Sequence, residues 1–498
     1  MSFVLSQEQT HIIDTILQVP PIPHIQISSV AGSSKSTTIH KAVMALLQQN
    51  PKTKIQLLMF GRQNAEEARQ LLPSNVGVST IHALAYKHTI KPLKLKIPIR
   101  DRVRDSDVNM VLKISSKRIH KVIELVDKFT NSDYTNVDAY VKDKGKGDDY
   151  TSQDIVDCKA VLYKMEKGKI NVTHSFYLKL FHAKVLNGTM KIPPVDVLIL
   201  EEAQDLTQVM VDVTDKYITK QRIFIGDSYQ QVLGFTGSVD VLSLYKDKGL
   251  NLNLTKSFRV NVEDAKVVQY FMQIEVEPSF KFEGFDRPYP ENPTFAYLTR
   301  TNAALIAKMI LLDRDGTPFK LSTKTKLRQL FTLPLTLASL KAGGIQKNEE
   351  MQYLQDECDR YYNSGNIQKS YKTLFSYFKD KYAESPAIIQ GMDLVLAFGA
   401  SALFTVYASA KEHMKSDSNL TLSTASSSKG GTFTEVELDP SMDKALQKVL
   451  PIPFEDRSKE DLQEIYLFYV ATTRSTHVLK GSLIFNEYKY SLQRLKEK

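Results

Sequence analysis

The stretch His24-Ile25-Gln26-Ile27-Ser28-Ser29-Val30-Ala31-Gly32-Ser33-Ser34-Lys35-Ser36 decides the fold of this chain. A strand-like run over 24–28 gives way to a turn of small residues and then to a helix-like run over 37–48. That succession predicts a strand, a tight loop and a helix, the shape of a loop that cradles nucleotide phosphates. In such a loop, backbone N–H groups at a helix N-terminus wrap the phosphates, a lysine reaches the β/γ oxygens and a hydroxyl holds Mg²⁺. Gly32, Ser33, Ser34, Lys35, Ser36 and Thr37 are the candidate contacts. The template G-x-x-x-x-G-K-[ST] asks for glycine at 29 and 34, where this chain has Ser29 and Ser34. Taken alone, the stretch fits an ordinary serine-rich turn before a helix equally well.

Further strand-like runs lie at 54–59, 195–200, 221–225, 294–298 and 421–424, each followed by turn chemistry and a helical stretch. This alternation predicts parallel α/β sheets. Two segments break it: 87–191, rich in lysine and helical patterns with a polar interruption at 142–149, and 311–418, mostly helical. The predicted layout is two α/β cores, each carrying a helical insertion. A chain of 498 residues has room for several domain-sized units.

With 42% hydrophobic and 24% charged residues, the composition is that of a soluble globular protein. The net charge of +9 suits a polyanionic partner such as nucleic acid. Cys158 and Cys358 are far apart, so neither a disulfide framework nor a zinc site is expected, and a reducing compartment is. The first residues lack the basic-then-apolar order of a signal peptide. The uncharged run 394–410 contains Gly399, Ser401, Thr405 and Ser409 and lacks a basic N-terminal flank; a buried helix is expected there, not a membrane anchor.

The strongest local signal is Val195-Asp196-Val197-Leu198-Ile199-Leu200-Glu201-Glu202-Ala203-Gln204-Asp205. An apolar strand ends in two carboxylates, which sets acids at the C-terminal edge of a parallel sheet. One acid can hold Mg²⁺ and the next can orient or deprotonate the attacking water. The plainer reading is a pair of acids closing a strand and starting a helix.

Glu201-Glu202-Ala203-Gln204-Asp205 resembles the D-E-A-Q-D box of UvrD/Rep-type superfamily 1 helicases. Other segments resemble that family's motifs in the same order: Leu5-Ser6-Gln7-Glu8-Gln9, Gly226-Asp227-Ser228-Tyr229-Gln230-Gln231, Leu254-Thr255-Lys256-Ser257-Phe258-Arg259 and Tyr469-Val470-Ala471-Thr472-Thr473-Arg474. Within the family, Thr80-Ile81-His82-Ala83-Leu84-Ala85-Tyr86 and Thr173-His174-Ser175-Phe176-Tyr177-Leu178-Lys179-Leu180 resemble the F-box-helicase branch, and no F-box-like extension is expected.

By position, the resemblance implies that Gln9 reads the adenine edge and Phe258 stacks on the base. Lys35 would neutralise the β/γ-phosphates, Ser36 and Glu201 would hold Mg²⁺, and Glu202 would polarise water. Gln230 would sense the γ-phosphate and couple it to DNA, while Arg259 and Arg474 would stabilise transition-state charge. Phe60, His82 and Phe235 fall where the family touches single-stranded bases, and Thr424 and Lys429 where it contacts backbone and nucleotide. In Thr424-Ala425-Ser426-Ser427-Ser428-Lys429-Gly430-Gly431-Thr432-Phe433, Ser426, Gly431 and Thr432 replace the family's histidine, leucine and glutamate. Each residue also has a bland alternative: core phenylalanine, solvated lysine, surface arginine or helix-capping histidine.

The resemblance thus implies an α/β protein with two RecA-like P-loop NTPase cores. The first would comprise 1–87 and 176–248 with a helical insertion at 88–175, the second 249–310 and 419–498 with an accessory insertion at 311–418. Its expected activity is that of an ATP- and Mg²⁺-dependent single-stranded DNA translocase and helicase of 3′→5′ polarity. It would act on single-stranded or tailed duplex DNA in the cytoplasm or nucleus, without a membrane. The competing expectation is a degenerate relative that binds DNA without turnover, favoured by Ser29, Ser34, Glu201 and Thr432.

Overall fold

In the computed structural model, residues 4–93, 98–144, 150–232, 237–345, 351–363, 371–414 and 417–496 are described. The chain forms two compact units, Met1–Thr255 and Lys256–Lys498.

The first unit is built on a six-stranded sheet. Its strands are β1 (His24–Ser29), β2 (Ile55–Met59), β3 (Gly77–Thr80), β6 (Val197–Glu201), β7 (Gln221–Gly226) and β8 (Leu250–Leu254); β4 (Ile99–Arg100) and β5 (Val172–Thr173) form a separate short ladder. The order across the sheet is β3-β2-β6-β7-β1-β8, with every pairing parallel. β6 and β7 are buried at every position, because helices cover both faces of a parallel sheet. Side chains alternate between those faces. Ile25, Ile27, Ile199 and Ile225 pack with the N-terminal helix Gln7–Ile16 and helix Lys35–Gln49. Leu198, Leu200 and Phe224 join the other cluster, which continues into Val122 and Leu125 of the insertion and Phe181 of helix His174–Leu186. The first insertion therefore shares the core of the sheet that carries it.

β8 corrects the expected boundary at 248. It hydrogen-bonds β1 in register, Ile25 opposite Leu250 and Ser29 opposite Leu254, so it closes the first sheet. The Glu8 carboxylate fastens its end, accepting from Thr255 N at 2.8 Å and Thr255 Oγ1 at 2.7 Å.

The second unit holds a parallel sheet in the order β10-β11-β9-β12-β13. Its strands are β9 (Phe295–Thr299), β10 (Lys320–Leu321), β11 (Leu420–Thr424), β12 (Phe433–Leu438) and β13 (Ser475–Lys480). β10 lies inside the segment expected to be mostly helical and pairs with β11. Helices Leu327–Lys341, Gln352–Asn363, Tyr371–Lys381 and Pro386–His413 follow it.

The last of these helices covers 394–410 and is broken at Gly399 (φ 80°, ψ 164°). Leu394, Val395, Leu403 and Val406 are buried with Phe331 and Leu337, and a Cβ on Gly391 would meet Leu337 Cδ1 at 2.8 Å. Leu396 and Phe404 stand exposed, so the expectation of a buried helix holds for one face only. Among the described residues this is the one helix long and apolar enough to cross a membrane, by length and composition. Cys158 and Cys358 are free, buried thiols.

Candidate functional site

The carboxyl ends of parallel strands are where α/β sheets gather ligand-binding groups, and here they carry most of the first unit's candidates. β6, β7 and β1 are adjacent and end level with one another: Glu201 pairs with Ile225, and Ser28 with Gly226. Beyond β1 the chain turns through Gly32 (φ 75°) and Ser34 (φ 61°, ψ 40°) into helix Lys35–Gln49. Ser34 occupies the N-cap without a side-chain cap bond, leaving the first-turn N–H groups directed at whatever binds there. Ser33 is buried, and its Oγ has no partner among the described residues.

Ser29 shows what replaced the glycine: its Oγ donates to Gly226 O at 2.7 Å, tying the loop to the end of β7. Ser34 accommodates its side chain by strain. A non-glycine residue in the left-handed region costs on the order of 1 kcal/mol. Ser34→Gly is therefore expected to stabilise the protein by up to about 1 kcal/mol, less the extra freedom glycine gives the unfolded chain. Urea unfolding followed by circular dichroism measures this; a clear loss of stability would show that the loop is unstrained at 34.

The two carboxylates have different partners. Ser36 Oγ donates to Glu201 Oε2 at 3.0 Å, while Glu201 Oε1 is buried with no partner among the described residues. Burial pushes the Glu201 carboxyl up to about 7; the Ser36 hydrogen bond opposes this, the Glu202 charge adds to it and Lys35 opposes it. An orphaned oxygen beside a serine hydroxyl fits a hard divalent cation, which takes oxygen ligands and shares them with phosphates. Among the described residues no group of three or more His, Cys, Asp or Glu forms a complete cage. Ser36 and Glu201 would hold such a cation, which when bound supplies positive charge to the phosphate oxygens.

Without it, the folded chain keeps a proton on Glu201 that the unfolded chain, titrating at its ordinary 4.5, has released. The stabilising contribution of this group is then full below about pH 4.5 and lost as pH rises through about 7, a total on the order of 3 kcal/mol. Unfolding free energies of the nucleotide-free native chain and of Glu201→Gln across this range are expected to converge at low pH. The variant is expected to be the more stable above neutrality, and parallel profiles would refute the shift.

Glu202 stands at φ 54°, with Oε1 3.8 Å from Lys35 Nζ. Its Oε2 accepts from Gln204 Nε2 at 2.6 Å. Gln204, fully buried, accepts from Asp227 N at 3.0 Å, and Gln230 Nε2 donates to Asp227 Oδ2 at 2.5 Å. Gly226 is required here, since a Cβ would run into Gln204 Oε1. Gln204 and Asp227 were not singled out from sequence, yet they link Glu202 to Gln230. Their box membership was the available signal; their burial was not legible.

Gln9, expected to read an adenine edge, has its amide engaged within the first unit. It is fully buried, its Oε1 accepts from Ser6 N at 2.9 Å and its Nε2 donates to Thr38 Oγ1 at 2.9 Å. Thr38 Oγ1 in turn donates to Ser34 O at 3.1 Å. Ser6 and Gln9 form a capping box, so in this structure Gln9 braces the loop from behind.

In the second unit, Phe258 is half-buried with its ring centroid 5.8 Å from Phe285, and the Lys256 ammonium lies 5.8 Å from each ring. Arg259 is half-buried and donates to Thr473 O at 3.5 Å. Arg474 differs from its expected presentation: it is fully buried, donating to Val470 O at 2.8 Å, Gly431 O at 3.3 Å and Thr473 Oγ1 at 3.2 Å. Those carbonyls lie at the end of helix Lys459–Thr472 and beside β12, and the guanidinium joins them.

Residues 9–236 match the model of a family described as an AAA domain. The chain is 23% identical over 355 residues to F-box DNA helicase protein 1 of Schizosaccharomyces pombe, a match covering 62% of this chain and 39% of that protein. It is 24% identical over 287 residues to F-box DNA helicase 1 of Gallus gallus, covering 53% of this chain and 27% of the relative. These matches support assigning this chain to the UvrD/Rep-type superfamily 1 helicase-like proteins. It spans well under half the length of these two relatives.

The superfamily's single-strand candidates lie at strand ends of either unit. Phe60 follows β2 and His82 follows β3, on the same sheet edge as the phosphate loop. His82 meets His174 and Tyr177 edge-on, each with centroids 5.8 Å away. Burial, reinforced by His174, pushes His82 down to about 4, so the ring is neutral and offers an aromatic face. Thr424 ends β11; its Oγ1 accepts from Ser427 N at 3.3 Å, and it lines a cavity of about 960 Å³ with Arg300, Asn302, Lys444 and Lys448. Lys429 is half-buried, and its carbonyl accepts from Lys324. Phe235 lies outside the described residues.

Proposed function

We propose that this chain is an ATP-dependent DNA helicase that translocates along single-stranded DNA. The observation that carries the reading is the sheet edge where Ser36 meets Glu201 and Lys35 meets Glu202. Lys35 and the first-turn N–H groups would hold the phosphates. The Glu202 carboxylate, aimed by Gln204, would orient the attacking water and take its proton. Gln230, joined to Glu202 through Asp227 and Gln204, would pass a change at the γ-phosphate along that hydrogen-bonded chain. Phe60 and His82 on the same edge would contact bases by stacking, which tolerates any sequence. The cavity beside Thr424 carries Lys444 and Lys448 together with Glu460, Asp461 and the Arg300–Glu464 pair, so there the two lysines would be the phosphate contacts.

The rival reading, a DNA-binding relative without turnover, rests on the strained Ser34 and on Gln9 being occupied as a brace. Against it, Lys35, Ser36, Glu201 and Glu202 come together with hydrogen-bonding capacity left on Glu201. ATP hydrolysis measured with and without single-stranded DNA decides between them: DNA-stimulated phosphate release supports the motor, and its absence sinks it. Strand displacement on duplexes with 3′ or 5′ tails tests the 3′→5′ polarity that the family likeness suggests.

A further inference from the structure

The first insertion contains a pocket of about 350 Å³ that the proposed motor does not use. Its exposed rim includes Asn136, Lys159, Tyr163 and Glu166, and its buried floor consists of Phe129, Val137, Phe176 and Lys179. Four helices meet there: Ser116–Asn131, Val137–Asp143, Ser152–Glu166 and His174–Leu186. The volume is at the lower end of the range for small-molecule sites, which are mostly apolar with a few placed polar groups.

Lys179 is the anomaly. The residue is only 6% exposed. Its ammonium donates to Ser132 O at 2.7 Å and lies 4.6 Å from the centroid of Phe129. An ammonium has three N–H donors, and buried charges are normally paired. Yet no carboxylate among the described residues forms an ion pair with Lys179; Asp133 and Asp212 act on it only at longer range. Asp212 is already engaged, by His182 Nε2 at 2.5 Å and Lys216 at 3.7 Å. Lys159, at the rim, is likewise engaged by Asp138 at 2.5 Å. The cost of this arrangement appears as desolvation, which pushes Lys179 down to about 8 against the pull of the two acids.

We propose that this pocket binds a small apolar monocarboxylate, with the carboxylate on Lys179 and the hydrocarbon body against Phe129, Phe176 and Val137. A carboxylate supplies the missing counter-charge and acceptors, and a charge-assisted hydrogen bond is roughly twice as strong as a neutral one. The aromatic and aliphatic floor takes the body. A neutral ligand of the same shape leaves the ammonium as under-paired as before.

Sodium octanoate and n-octanol, titrated calorimetrically into the full chain, test this. Octanoate is expected to bind saturably at one site and octanol more weakly. Lys179→Met, which keeps the packing and removes the charge, is expected to weaken octanoate at least about tenfold. Ala183→Phe, which fills the pocket without touching the charge, is expected to abolish binding, with circular dichroism confirming the fold of both variants. Failure of octanoate to bind the native chain overturns the proposal, as does octanol binding equally well or native affinity in folded Lys179→Met. If Lys179→Met does not fold, native octanoate affinity in Ala183→Phe overturns it instead.

Discussion

Glu202→Gln is expected to reduce DNA-stimulated ATP turnover by about a thousandfold while nucleotide binding persists, the scale of losing a positioned general base. The expectation rests on how the carboxylate is held. A left-handed backbone at Glu202 turns the chain off the end of β6, and Gln204 fixes one oxygen at 2.6 Å. Glutamine keeps the size of the side chain and one acceptor for Gln204, so the turn and the Asp227 link survive. What disappears is the negative charge that would draw a proton from water, together with the 3.8 Å pairing to Lys35. Lys35 is then free to serve phosphate oxygens, so affinity for nucleotide is expected to hold or rise. Steady-state phosphate release with saturating single-stranded DNA, set beside equilibrium binding of a fluorescent nucleotide, separates the two effects. Native-level turnover in the variant removes Glu202 from the chemistry; joint loss of turnover and binding points to a damaged turn.

Arg474→Met is expected to destabilise the second unit by roughly 1–3 kcal/mol, the range for stranding a buried hydrogen-bonding group. Gly431 O would lose the guanidinium donor, while Val470 O keeps the Thr473 hydroxyl at 3.2 Å and that hydroxyl keeps Tyr469 O at 2.8 Å. Arg259 provides the comparison, because it is half-buried and its side-chain bond to Thr473 O is long, at 3.5 Å. Arg259→Ala is expected to change stability by less than about 1 kcal/mol. Hydrogen exchange read by mass spectrometry over helix Lys459–Thr472 and β13 distinguishes the pair, with protection falling in Arg474→Met and not in Arg259→Ala. Unchanged protection with abolished turnover in Arg474→Met would return that arginine to the nucleotide.

The parts legible in the sequence were those that depend on one strand or one turn. Val197 to Glu201 announced a central parallel strand because no polar residue interrupts it before the acids. The loop at 29–36 announced itself by its small residues, although Ser29 and Ser34 hid how it closes. β8 escaped because Leu250-Asn251-Leu252-Asn253-Leu254 lies at the sheet edge and looks like the start of the motif that follows. β12 and β13 escaped for a similar reason: Glu435, Glu437 and His477 dilute their apolar pattern, and only the sheet shows which face is covered. Gln9 carries a local signal beside its family motif: it stands three residues after Ser6, the spacing of a capping box. Buried polar partners such as Gln204 and Asp227 have no sequence signature, because their value lies in a neighbour 23 residues away.

The position of β8 has a consequence for how the chain is made. Two interleaved cores would oblige the ribosome to finish the second before the first could close. Instead all six strands of the first sheet lie before Thr255, and the second unit begins at Lys256. Domains fold as units during synthesis, N-terminal first. The phosphate loop, Glu201 and Glu202 can therefore reach their final register while the other half of the chain is still being translated.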